Sequence, residues 1–216
     1  MLTSMLPRLY PILDVDLCRE RRLEPLAVLA AFLAGGARLL QLRDKIGSTA
    51  ERLARADAVV ARAHAAGARV IINDRADIAR MSGADGVHVG QDDLLVEDAR
   101  RIVGPGAIVG LSTHDEAQID AAARTSATYI AVGPIYGTAT KQTGYSPRGL
   151  DLVRRAAQTA RPVVAIGGIT LDRAPEVLAA GAASVAVISE LLQEDPEKMV
   201  RAFCMSLGGA APRGDV

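Results

Sequence analysis

Eight short apolar runs recur along the chain with almost no charge inside them, at residues 9–13, 39–42, 70–72, 86–89, 107–111, 129–132, 163–166 and 184–188. A strand with one wet face alternates apolar and polar residues. These runs do not, so they predict strands buried on both faces, as in a parallel sheet. The stretches between them are rich in alanine and carry apolar residues at helical spacing. Leu26, Leu29, Ala30 and Leu33 mark one such face, and Leu53, Ala56, Val60 and Ala63 another.

Punctuation supports the same parse. Ser48 with Glu51, and Thr113 with Glu116, have the spacing of a reciprocal helix cap. Gly35, Gly67, Gly104 and Gly181 fall where a helix stops before the next strand. Eight strand–helix units in so short a chain predict a small (β/α)₈ TIM barrel, a single α/β domain over residues 1–207, with 208–216 as a loose tail. The competing fold, a doubly wound open sheet, would carry a glycine-rich fingerprint after its first strand. Asp14-Val15-Asp16 stands there instead.

Composition narrows the partners. Lys+Arg and Asp+Glu are both 25, which argues against nucleic acid or an anionic membrane as the main partner. No apolar run approaches the roughly 20 residues that span a bilayer. The two cysteines, Cys18 and Cys204, form no metal-binding or disulfide pattern. The expectation is a cytoplasmic protein that handles small molecules.

In a barrel the segments following the strands gather at one end, and the polar clusters of this chain fall there. Gln41, Arg43 and Lys45 occupy alternate positions at the end of the second run, spacing that aims all three into the mouth. Arginine and lysine converging on a pocket suit a polyanion such as diphosphate. Asn73 and Asp74 end the third run, and Asp92 and Asp93 follow the fourth. Carboxylates from adjacent strands are hard oxygen ligands of the kind Mg²⁺ takes, the reading favoured for Asp93 over a cap, whereas Asp92 reads as the cap of a helix beginning near Leu94. Thr138, Thr140 and Lys141 in the sixth loop offer hydroxyls and an amine to a phosphate. Gly167-Gly168 and Ser189 lie where barrels often hold phosphate on backbone amides, although Gly-Gly also makes a plain turn. The three histidines read as an interior packing or functional residue (His88), a solvated helix residue (His64) and a cap neighbour (His114).

Taken together, the phrases QLRDK (41–45), IND (72–74), HVGQDD (88–93), GLSTH (110–114), GPIYGTATK (133–141), AIGGI (165–169) and VAVIS (185–189) resemble the thiamine phosphate synthase family from residue 9 to 192. The resemblance implies a transferase that joins a hydroxymethylpyrimidine diphosphate to a thiazole phosphate and releases diphosphate. It implies Gln41, Leu42, Arg43, Asp44, Lys45, Asn73, Ser112 and Lys141 around the pyrimidine diphosphate. Thr138, Ala139, Thr140, Gly168, Ile188 and Ser189 would lie at the thiazole phosphate. Asp74 and Asp93 would hold Mg²⁺, with Arg43, Lys45, Lys141 and Ser112 aiding departure of the diphosphate. Three residues depart from the family's usual pattern: Leu13 in place of threonine, Asp115 in place of threonine and Gly137 in place of proline. Alternatives are a thiazole isomerase on the same fold, in which a histidine would replace Pro134, and a non-catalytic barrel that senses thiamine precursors.

Overall fold

The computed structural model describes residues 6–137 and 144–208. Eight strands, β1 (Leu9–Asp14), β2 (Leu39–Arg43), β3 (Arg69–Asn73), β4 (Gly86–Val89), β5 (Ile108–Thr113), β6 (Tyr129–Val132), β7 (Val163–Ile166) and β8 (Ser184–Val187), pair in parallel and in chain order into a closed barrel. β1 closes the ring on β8. Around it run α1 (Val15–Glu20), α2 (Pro25–Ala34), α3 (Thr49–Ala65), α4 (Ala76–Ser82), α5 (Val96–Val103), α6 (Glu116–Ala123), α7 (Gly149–Ala157), α8 (Ala174–Ala179) and, after a 3₁₀ turn at Ser189–Leu192, α9 (Pro196–Ser206). Each expected run is therefore a strand, with ends that agree to within two residues.

Alternation along the strands divides the apolar side chains into two cores. Leu13, Leu40, Leu42, Val70, Ile72, Val87 and their neighbours pack outward against the helices. Tyr10, Ile12, Leu39, Ile71, Ile108, Tyr129, Ala131 and Val164 fill the barrel itself. Below the barrel, residues near the two ends of the described chain meet. The Arg8 carbonyl accepts from Val185 N (2.8 Å), and Arg8 Nη1 donates to the Leu207 carbonyl (2.8 Å).

The caps are partly as expected. At α3, Ser48 Oγ accepts from Glu51 N (3.3 Å) and Glu51 Oε2 accepts from Ser48 N (2.8 Å), a complete reciprocal cap. Ser48→Ala should cost about 1 kcal/mol and lower the thermal midpoint by roughly 2–4 °C, which calorimetry would register. An unchanged midpoint would deny the cap any stabilising role. The second expected box is not formed. β5 runs on through Thr113, whose hydroxyl donates to the Ala131 carbonyl (3.0 Å), and Asp115 caps α6 by accepting from Gln118 N (2.8 Å). Asp115, one of the departures from the family pattern, thus has a structural task here.

Candidate active site

A cavity of about 420 Å³ opens at the carboxyl ends of the strands. Gln41 and Arg43 line it from β2, Asn73 from β3 and Ser112 from β5. Gly168, Ile188 and Ser189 line it from the opposite wall. Seven of the residues singled out in the sequence therefore share one hollow. Thr138, Ala139, Thr140 and Lys141 lie outside the described residues.

The β2 end departs from the simple alternation. The strand stops at Arg43, so its inward–outward rhythm reaches Gln41 and Arg43 but not Lys45. Lys45 lies at the rim, where its ammonium meets the Asp74 carboxylate. Leu42 is buried in the outer core, facing the helices rather than the mouth. Asp44 also turns away. Its carboxylate pairs with Arg55 of α3 and accepts from Gly47 N (3.0 Å), which pins the loop that carries Lys45. These placements give Leu42 and Asp44 supporting positions behind the site.

Arg43 is held before any ligand arrives. Its Nη1 donates to Asp14 Oδ2 at 2.7 Å, and Asp16 Oδ2 lies 3.6 Å away. A guanidinium has five N–H donors, so anchoring one on Asp14 leaves others for an anion. Asp14 is itself buried and also accepts from Leu17 N at the start of α1. The first strand thus fixes a cation contributed by the second.

Asp74 sits in the left-handed region, with φ 62. Aspartate tolerates that region better than most residues, and the backbone is pinned there by Asp74 N donating to the His88 carbonyl (2.7 Å). Asp93 does not cap a helix: α5 begins only at Val96, and its cap residue, Leu95, makes no side-chain bond. Asp93 Oδ2 instead accepts from Gly90 N (2.7 Å), closing the loop after β4. Partial burial raises the Asp93 carboxyl above its ordinary range, the Gly90 amide opposes this, and the neighbouring Asp74 carboxylate adds to it. Two hard-oxygen carboxylates crowded together beside a cavity, with the Lys45 ammonium beside them, form a donor set suited to a divalent cation. No third His, Cys, Asp or Glu joins them into a larger cluster among the described residues. A cation here would complete its shell with water and ligand oxygens, which is the habit of Mg²⁺.

The floor of the cavity is polar in a way the sequence reading missed. Gln41 Nε2 donates to Tyr10 Oη (3.3 Å), the Tyr10 and Tyr129 hydroxyls lie 3.1 Å apart, and Tyr129 Oη lies 2.9 Å from His88 Nδ1. His88 Nε2 in turn lies 2.8 Å from Ser112 Oγ. Burial pushes the pKa of both phenols above the ordinary tyrosine value, so each keeps its proton and must place it. The Tyr129 ring stacks on His88 and meets Tyr10 edge-on. A tyrosine and a histidine at inward positions of otherwise apolar runs were the available signal.

The opposite wall rests on two arginines that the sequence reading also passed over. Arg21 Nη1 donates to the carbonyls of Ser189 (3.1 Å) and Leu192 (2.6 Å), tying down the 3₁₀ turn. Arg173 Nη1 donates to the Gly168 carbonyl (3.0 Å), and its guanidinium lies 4.5 Å from the Tyr136 ring centre. The Tyr136 hydroxyl meets Glu176, and burial together with that carboxylate pushes the phenol up to about 12. Gly168 is at φ 63, and a Cβ there would stand 2.5 Å from the Gly137 carbonyl, so only glycine fits. His64 is an exposed residue of α3 and His114 directly precedes Asp115, the cap of α6, both as expected, and each has a partner. His64 pairs with Asp85 (2.9 Å), and His114 Nδ1 lies 2.6 Å from the Gly133 carbonyl while its ring stacks on Tyr145. Leu13 is buried among the outer-core residues, so this departure from the family pattern does not reach the cavity.

A closed parallel barrel with cations, carboxylates and glycine turns gathered round one cavity at its carboxyl end defines a (β/α)₈-barrel enzyme. The model of the thiamine monophosphate synthase family matches residues 9–191, and the chain belongs to that family, whose members are transferases. It is 45% identical over 208 residues to a thiamine-phosphate synthase of Koribacter versatilis, covering 94% of this chain and 96% of that one. It is 45% identical over 181 residues to a thiamine biosynthesis bifunctional protein of Symbiobacterium thermophilum, covering 83% of this chain and 38% of that protein. Among solved structures, a thiamine phosphate pyrophosphorylase from Pyrococcus furiosus superposes with a TM-score of 0.85 at 31% identity, covering 96% of this chain and 98% of that one. No helix among the described residues is long and apolar enough to cross a membrane.

Proposed function

We propose that this barrel couples 4-amino-5-hydroxymethyl-2-methylpyrimidine diphosphate to a thiazole phosphate, forming thiamine phosphate and diphosphate. The observation that carries the reading is that residues from two sides of the barrel line one cavity. Gln41, Arg43, Asn73 and Ser112 lie on one, and Gly168, Ile188 and Ser189 on the other. In the reaction the bond between the pyrimidine methylene and the diphosphate oxygen breaks, the electron pair leaving with diphosphate. The thiazole nitrogen then supplies the pair for the new carbon–nitrogen bond.

Such chemistry needs no protein nucleophile. It needs neutralisation of a leaving group whose charge grows, and alignment of the incoming ring. Arg43, steadied by Asp14, would meet the diphosphate, and Ser112 and Gln41 would supply hydrogen bonds beside it. Lys45 sits on Asp74 and can transfer its charge to an arriving phosphate. Asp74 and Asp93 would hold Mg²⁺, which when bound supplies positive charge to the diphosphate oxygens. Backbone N–H groups around Gly168, Ile188 and Ser189 would take the thiazole phosphate, with Thr138, Thr140 and Lys141 of the sixth loop assigned to the substrates by family resemblance.

Purified protein given both phosphorylated precursors and Mg²⁺ is expected to release diphosphate and form thiamine phosphate in equal amounts. Omitting the thiazole phosphate should leave almost no diphosphate release above background. Folded protein that forms no thiamine phosphate, even at high enzyme concentration, would overturn the proposal.

A further inference from the structure

The interior of the barrel holds a row of five hydrogen-bonding side chains joined by four contacts, and a donor at one end of the row sets the direction in which we read it. A phenol has one proton to give. Gln41 Nε2 can only donate, so the Tyr10 oxygen accepts at that contact (3.3 Å) and the Tyr10 proton passes to the Tyr129 oxygen (3.1 Å). Tyr129, having accepted, gives its own proton to His88 Nδ1 (2.9 Å). An imidazole that accepts at Nδ1 carries its hydrogen on Nε2, and that hydrogen goes to Ser112 Oγ (2.8 Å). The Ser112 hydroxyl then keeps its own proton for whatever occupies the cavity that it lines.

We propose that Tyr10, Tyr129 and His88 are positioning residues which, by this one-way relay from Gln41, hold Ser112 as a hydrogen-bond donor toward the leaving diphosphate. The assignment of diphosphate to that wall rests on the function proposed above, whereas the direction of the relay rests on Gln41 Nε2 donating to Tyr10 and on each buried phenol placing its proton within the row. An anion accepts hydrogen bonds and gives none, so a serine presenting a lone pair would repel it and a serine presenting a proton attracts it. The same relay reaches Gln41, so one buried row sets two groups on the same wall. Both tyrosines and His88 are buried, which shields the relay from competing water.

Two experiments test it. The chain has 3 histidines, so nitrogen-15 NMR of histidine-labelled, ligand-free protein, with His88→Gln as the assignment control, reads the His88 tautomer directly. At about pH 8 an ordinary imidazole is neutral. The hydrogen is expected on Nε2. A hydrogen on Nδ1 would reverse the relay and overturn the proposal, whatever the enzyme's activity. The second experiment is a double-mutant cycle on kcat for the coupling reaction. Tyr129→Phe should lower kcat about tenfold in the native background but less than about twofold in a Ser112→Ala background, because its effect passes through that hydroxyl. Equal losses in both backgrounds would make Tyr129 a packing residue only and sink the positioning role. If Tyr129→Phe does not fold, Tyr10→Phe breaks the relay one link earlier and the same cycle applies. An Nε2 hydrogen in a protein that makes no thiamine phosphate would leave the relay standing and remove only its assignment to diphosphate.

Discussion

Replacing Gly110 with alanine is expected to destabilise the barrel by about 3 kcal/mol, lowering its thermal midpoint by roughly 6–12 °C, and to abolish most activity. Gly110 lies on β5 between two buried rings. A Cβ built there would stand 2.1 Å from Tyr129 Cζ, 2.3 Å from its hydroxyl and 2.5 Å from His88 Nδ1. No side chain approaches so closely, so Tyr129 or His88 must move. Both are fully engaged, Tyr129 with Tyr10 and His88, and His88 with Ser112. The backbone conformation is no obstacle here, since Gly110 has no positive φ, and the whole cost comes from lost space. Differential scanning calorimetry measures the first effect and steady-state turnover the second. A variant with the native midpoint and native turnover would mean that the Tyr129 ring does not lie against β5.

Asp93→Asn should cut turnover about 100-fold, equivalent to about 2.7 kcal/mol of transition-state stabilisation, while leaving the fold as stable as before or more so. The two effects separate because the carboxylate has two relationships. Its bond from Gly90 N survives, since an amide oxygen accepts as a carboxylate oxygen does. Its charge beside Asp74 is a local repulsion in the ligand-free protein, and the substitution removes it. Only the capacity to hold a divalent cation is lost. Turnover against Mg²⁺ concentration, with a thermal melt alongside, reads both. Native turnover at limiting Mg²⁺ would remove Asp93 from the metal site, and a large fall in the midpoint would show that the carboxylate is needed structurally.

The architecture was legible because a parallel barrel writes itself plainly into sequence: uncharged runs at regular spacing, separated by helix-patterned stretches. Gln41, Arg43, Asn73, Gly168 and Ser189 were legible for the same reason, since they stand at or just past the carboxyl ends of strands, which must converge, whereas Ser112 and Ile188 were reached only through the family resemblance. What escaped the reading depended on through-space choices. Thr113 has the spacing of a cap, yet β5 extends through it and its hydroxyl bonds across to β6. Asp93 stands near a helix start, but the turn closed on Gly90 delays that helix to Val96. Period-two reasoning carried Lys45 into the mouth, although the strand had ended two residues before it. Leu42 and Asp44 belong to a phrase typical of the family, and a phrase does not distinguish a side chain that faces the cavity from one that supports it. The relay from Gln41 to Ser112 draws on five residues in five strands, and no spacing along one chain encodes that neighbourhood.

The junction of Arg8 with Leu207 carries a lesson about modularity. It ties the beginning and the end of the barrel together beneath the floor, while Gln41, Arg43, Asn73, Ser112, Gly168, Ile188 and Ser189 gather round the cavity at the roof. A second catalytic module spliced on through either end would hang from the side away from the entrance. Two enzymes could then share one polypeptide without one obstructing the other's doorway, so the topology leaves gene fusion sterically free.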